Sequence, residues 1–69
     1  MNLGRSINLA MAYKGIKNQK ALAVLTGITE ASMSNMIANK GNPGIKTVER
    51  VAYELGYSMS EFIKLGEVK

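Results

Sequence analysis

The chain contains no cysteine and no histidine, all five of its acidic residues are glutamate, and it has a single proline. Without cysteine there are no disulfide staples and no thiolate chemistry. With histidine missing as well, imidazole catalysis and the usual zinc clusters are excluded. The glutamates are scattered, with neither a carboxylate pair nor a calcium loop among them, so no metal site and no cofactor is expected. No glycine-rich phosphate cradle of the GxGxxG or GxxxxGKS kind is present, which leaves no indicated small-molecule ligand. No nucleophile stands with a base, and the chain is expected not to be an enzyme. It also lacks any run of roughly 18 apolar residues and the zoned N-terminus of a secretory signal, so a cytoplasmic protein without a membrane partner is expected.

What remains is informative. Sixty-nine residues, 46% hydrophobic and 20% charged, suit one small domain over 1–69 with a compact core. A chain of this size buries only about 60% of its unfolded surface, so stability is expected to be marginal. The net charge is +4, and it is unevenly placed: Met1 to Lys46 holds six Lys/Arg against one Glu, whereas the remainder holds three against four. An anionic partner is therefore expected on the N-terminal two-thirds.

Glycines at 4, 15, 27, 41, 44, 56 and 66 read as punctuation between five short helices. The first spans about Leu3 to Lys14, with Leu3, Ile7, Ala10 and Met11 on one stripe. A second, about Asn18 to Thr26, buries Leu22 and Leu25 and ends at Gly27. The third begins after the N-cap Thr29 and turns Met33, Met36 and Ile37 inward. "NKGNPG", Asn39 to Gly44, is a loop. The fourth helix, about Lys46 to Leu55, has Ile45, Val48, Val51, Ala52 and Leu55 as its inner stripe. Ser58 and Glu61 form a capping box, with Tyr57 and Phe62 at staple spacing, and open a fifth helix from Met59 to Leu65. No alternating strand pattern competes, so the fold class is an all-α bundle of five short helices.

A three-residue turn containing glycine forces the second and third helices to cross steeply, and small Ala23 permits a close approach there. Residues 18–38 thus form a helix-turn-helix unit. The stretch "NQKALAVLTGITEASMSNMI" resembles the Cro/CI-type (lambda-repressor-like) helix-turn-helix DNA-binding family. Gln19 matches the glutamine that opens the family's second helix, and Leu22-Ala23, Gly27-Ile28-Thr29 and Met33-Ser34 match its successive steps. The loop and "TVERVAYELGYSMSEF" extend the likeness over nearly the whole chain. Thr26 departs from it by standing where an apolar residue is usual, as do Met33 and Met36 where branched aliphatics are usual.

The resemblance implies a small sequence-specific regulator of transcription, of phage or mobile-element type, acting on double-stranded DNA in a bacterial cell or phage-infected host. The third helix would enter the major groove with Glu30, Ala31, Ser34 and Asn35 toward the bases. Asn can pair bidentately with adenine, and Ser, Ala and Glu have their own base-edge partners. Asn18, Gln19, Lys20, Lys14, Lys17, Thr29, Ser32, Asn39, Lys40 and Lys46 would contact the DNA backbone, which positions the protein without specifying sequence. Taken singly, Lys14, Lys17 and Lys20 also fit a solvated face, and Glu30 a complement to the helix dipole.

One reading helix covers few base pairs, so a homodimer on a palindromic operator is expected. Met59, Phe62, Ile63 and Leu65 are the candidate interface. Alternatively, Phe62 with Leu65 or Met59 closes the monomer core. A rival function is an antitoxin-like or antirepressor-like module that uses the same fold to bind a protein.

Overall fold

The computed structural model describes residues 2–67 and contains five helices: α1 Leu3–Lys14, α2 Gln19–Thr26, α3 Glu30–Ile37, α4 Ile45–Glu54 and α5 Met59–Glu67. No strand occurs among the described residues. Most helix ends are closed by the local chemistry that the sequence announces. The side chains of Asn2, Asn18 and Thr29 accept from the N–H three residues on, at 3.0, 2.8 and 3.2 Å, and so satisfy donors that a helix start leaves unpaired. Gly15 and Gly27 end α1 and α2 at φ 69° and 73°, a left-handed conformation that costs a residue without Cβ least. At α5 the capping box closes in both directions: Ser58 N–H donates to Glu61 Oε1 and Glu61 N–H to Ser58 Oγ.

α1 lies against α5 and α3, α2 against α3 and α4, and α4 against α5. Their shared core takes Leu3, Ile7 and Ala10 from α1, Leu22 and Ala23 from α2, and Met33 and Met36 from α3. Val48, Val51, Ala52, Leu55 and Phe62 complete it. Met11 and Ile37 are half-buried against this core.

Three expectations about packing need correction. Leu25 is 48% exposed, and its neighbour Thr26 takes the buried place. From Leu22, an advance of four residues returns closer to the same face than an advance of three. The Thr26 hydroxyl donates to the Leu22 carbonyl at 2.9 Å, so its burial leaves no unpaired polar group. Ile45, expected on an inner stripe, is the first residue of α4 and is 65% exposed. Gly4 and Gly66 lie inside helices instead of ending them. A Cβ at Gly4 would overlap the Ile37 carbonyl, and one at Gly66 would overlap the Asn2 carbonyl and Ser6 Oγ. These two glycines let the end of α3 and α5 approach α1 down to backbone contact, a role that spacing along the chain does not reveal.

Candidate nucleic-acid interface

α3 is built with two unlike faces. Met33 is fully buried and Met36 nearly so, which turns Glu30, Ala31, Ser34 and Asn35 to solvent, where all four are exposed. None of the side chains of Glu30, Ser34 and Asn35 is held by an intramolecular hydrogen bond among the described residues, and their donors and acceptors point outward uncommitted. Glu30 sits in the first turn, where its charge complements the helix dipole.

Cations flank both ends of this strip. Lys20 shares a shallow depression with Val24, Gly27, Thr29 and Glu30 around the turn. At the other end, Ser32 and Asn35 line a depression with Lys40, Asn42, Pro43 and Thr47. The second grouping adds Asn42 and Thr47, which the sequence reading had not singled out. Their signal was position: the loop that leaves α3 must pass beside its last turn.

Other expected DNA contacts are placed less uniformly. Lys17 is exposed just before α2, and Gln19 is half-buried at its first residue. The Asn18 side-chain oxygen is engaged as the N-cap of α2, and that of Thr29 as the N-cap of α3. Lys46 is exposed in the first turn of α4, beside Glu49 and Arg50 instead of in the Asn35 depression. Lys14 turns onto the α4–α5 connection, its Nζ 5.0 Å from the centre of the Tyr57 ring, a cation–π arrangement that gives it an intramolecular role. Asn39 directs its amide toward α1, where Gly4 N–H donates to Oδ1 at 2.9 Å. Of the proposed partner surface, Phe62 is 0% exposed and belongs to the protomer's own core, because the staple position folds it under α5. Met59, Ile63 and Leu65 remain half-covered.

The turn itself is fastened from outside the helix-turn-helix unit. Arg50, on α4, donates from Nε to the Thr26 carbonyl at 2.6 Å, satisfying one of the acceptors that the end of α2 leaves open. Its Nη2 lies 3.9 Å from where a Cβ on Gly27 would stand. Sequence reading missed this residue, since nothing near Arg50 in the chain advertises a partner 24 residues earlier.

Among the titratable groups, the Glu61 carboxylate is held below its ordinary range. The main cause is the Ser58 N–H that it accepts, with the Ser58 hydroxyl and the Lys14 charge adding to it. This belongs to the α5 cap and not to the α3 face.

Among the described residues no helix is long and apolar enough to cross a membrane. No curated protein and no solved structure matches the chain. A family model for the Cro/C1-type helix-turn-helix DNA-binding domain matches residues 6–66, a span that takes in the turn, the two-faced third helix and the packing helices around them. The chain therefore belongs to the Cro/C1-type helix-turn-helix DNA-binding domain family.

Proposed function

We propose that this chain is a sequence-specific transcriptional regulator of the Cro and phage-repressor type, which places α3 in the major groove of operator half-sites. The observation that carries the reading is the outward strip of α3. Glu30, Ala31, Ser34 and Asn35 are exposed, their side chains make no hydrogen bond among the described residues, and Lys20 borders them at one end and Lys40 at the other. That arrangement suits a helix whose centre reads base edges while its rims meet phosphates. Asn35 is the principal base reader. Ser34, Ala31 and Glu30 refine the choice, Glu30 by accepting from cytosine or by disfavouring other bases. Lys17, Gln19, Lys20, Ser32, Lys40 and Lys46 hold the backbone, with the backbone N–H groups at the start of α2 assisting Gln19.

The active form is a homodimer on a palindromic site in the cytoplasm of a bacterial cell or phage-infected host. Met59 and Ile63 line a groove together with Leu3, Met36, Ile45 and Val48 and with residues 39–43, and its apolar part is the interface between copies. The exposed Ile45 takes the place in it that the buried Phe62 vacates.

Selection of binding sites from a random duplex library, followed by gel shifts across a salt series, tests the whole reading. The expected result is an inverted repeat with half-sites about 10 base pairs apart, bound with an affinity that falls steeply as salt rises. Recovery of no enriched sequence, with any DNA binding indifferent to salt, would instead assign the fold to recognition of a protein partner.

A further inference from the structure

At its C-terminal end the reading helix closes through Asn39, which at φ 59° is the one non-glycine residue with positive φ among the described residues. Lys40 N–H donates to the Asn35 carbonyl at 2.8 Å and Asn39 N–H to the Met36 carbonyl at 3.1 Å. This is the paired closure in which the residue just past a helix turns left-handed. Glycine adopts that conformation with least strain, so an asparagine there invites the question of what its side chain does. Its Oδ1 accepts the Gly4 N–H at 2.9 Å, and its Nδ2 donates to Asn2 Oδ1 at 3.0 Å. Asn2 Oδ1 in turn accepts the Arg5 N–H. One asparagine thus ends α3 with its backbone and caps α1 with its side chain, across 35 residues of sequence. Beside it, Gly4 has no Cβ, which allows α1 to lie directly on the Ile37 carbonyl.

We infer that Asn39 is a positioning residue for DNA recognition: it fixes the angle and depth of α3 by fastening its C-terminus to the start of α1. The inference rests on α3 being the reading helix. It replaces the expectation that Asn39 grips the DNA backbone, since the carbonyl and an N–H of its amide already have partners within the fold. α3 has only eight residues, and Asn35 lies one turn before the joint, so a tilt there moves Asn35 directly. Base-edge hydrogen bonds tolerate little error in distance or angle, whereas lysines on flexible stems follow a displaced phosphate. Loosening the joint therefore harms sequence discrimination more than general affinity.

Two variants test this from opposite sides of the joint. N39G retains the left-handed closure and removes the amide, while N2A removes one of its two partners, together with the acceptor of the Arg5 N–H, without touching α3. Thermal unfolding followed by circular dichroism sets a temperature at which both variants and the wild type are folded. Binding to a selected and to a random duplex is then measured, together with residual dipolar couplings that report the orientation of α3 relative to α1. Both variants are expected to lower the ratio of selected to random affinity by about tenfold. Random affinity should stay within about twofold, and the couplings should show α3 reoriented. The inference is overturned if N39G weakens both duplexes equally while N2A changes neither, which would make Asn39 a direct phosphate contact. Wild-type couplings and a wild-type ratio in both variants would overturn it too, since packing alone would then hold α3. A wild type that prefers no duplex refutes the reading of α3 instead, and the dipolar couplings still decide whether the joint exists.

Discussion

α3 and α5 are both short helices opened by a hydroxyl N-cap, yet they use their outer faces in opposite ways. α3 turns its bulky Met33 and Met36 inward and leaves small and polar groups in water. α5 buries Phe62 completely but leaves Met59, Ile63 and Leu65 half-covered. The first surface has donors and acceptors without apolar bulk, as the edges of base pairs demand. The second carries more apolar bulk, set among the exposed Ser60, Glu61, Lys64 and Glu67, and suits the interface between copies proposed above. Similar helix starts therefore say little about role, which is decided by the residues left over after the core is filled.

The comparison breaks most severely if the core anchor of α5 is removed. Phe62→Ala should cost about 3–5 kcal/mol, most of the stability of so small a domain, and urea denaturation should show the cooperative transition shifted to near zero denaturant or lost. A mild effect would mean that Phe62 packs loosely and that α5 does not anchor the fold. On α3 the loss should fall on recognition instead: Asn35→Ala should weaken binding to a selected duplex by roughly 1–3 kcal/mol while its denaturation midpoint stays near wild type. Equal losses on selected and random DNA would remove Asn35 from the reading role. Lys20→Ala should act more gently, lowering affinity for every duplex alike and reducing the dependence of log affinity on log salt by about one. A change of base preference in that variant would place Lys20 among the readers.

The smallest effect concerns the α5 cap. Because the Glu61 carboxyl is held below its ordinary range in the folded chain, its contribution to stability is present above the unfolded value and lost as pH falls through the folded one. Glu61→Gln should therefore flatten the acid side of a plot of melting temperature against pH and leave DNA binding at neutral pH unchanged. An acid limb identical to that of the wild type would show that ionisation of the Glu61 carboxyl contributes nothing there.

Much of this was legible in the sequence because it is local chemistry. Thr29, Gly27 and the Ser58/Glu61 pair each act within a few residues of themselves, and each is found where local rules place it, whereas Asn18, read as the first residue of the second helix, is its N-cap. The exposure of Glu30, Ala31, Ser34 and Asn35 followed from the inward period of Met33 and Met36. What stayed hidden depends on neighbours distant in the chain. Leu25 and Thr26 exchange places because a hydroxyl can return its hydrogen bond to its own helix, which a ranking by hydrophobicity ignores. Gly4 and Gly66 look like breaks until the helices that press on them are known. Arg50 and Asn39 read as surface residues until the Thr26 carbonyl and the Gly4 N–H come within reach.

Because the side chains of Glu30, Ser34 and Asn35 have no hydrogen-bonding duties toward the rest of the molecule, exchanging them should alter stability by no more than about 0.5 kcal/mol each. The scaffold and the message it carries are thereby separable: new lettering can be tried at these positions without renegotiating the architecture. On the proposed reading of α3, a few codon changes there would direct the protein to a different DNA sequence.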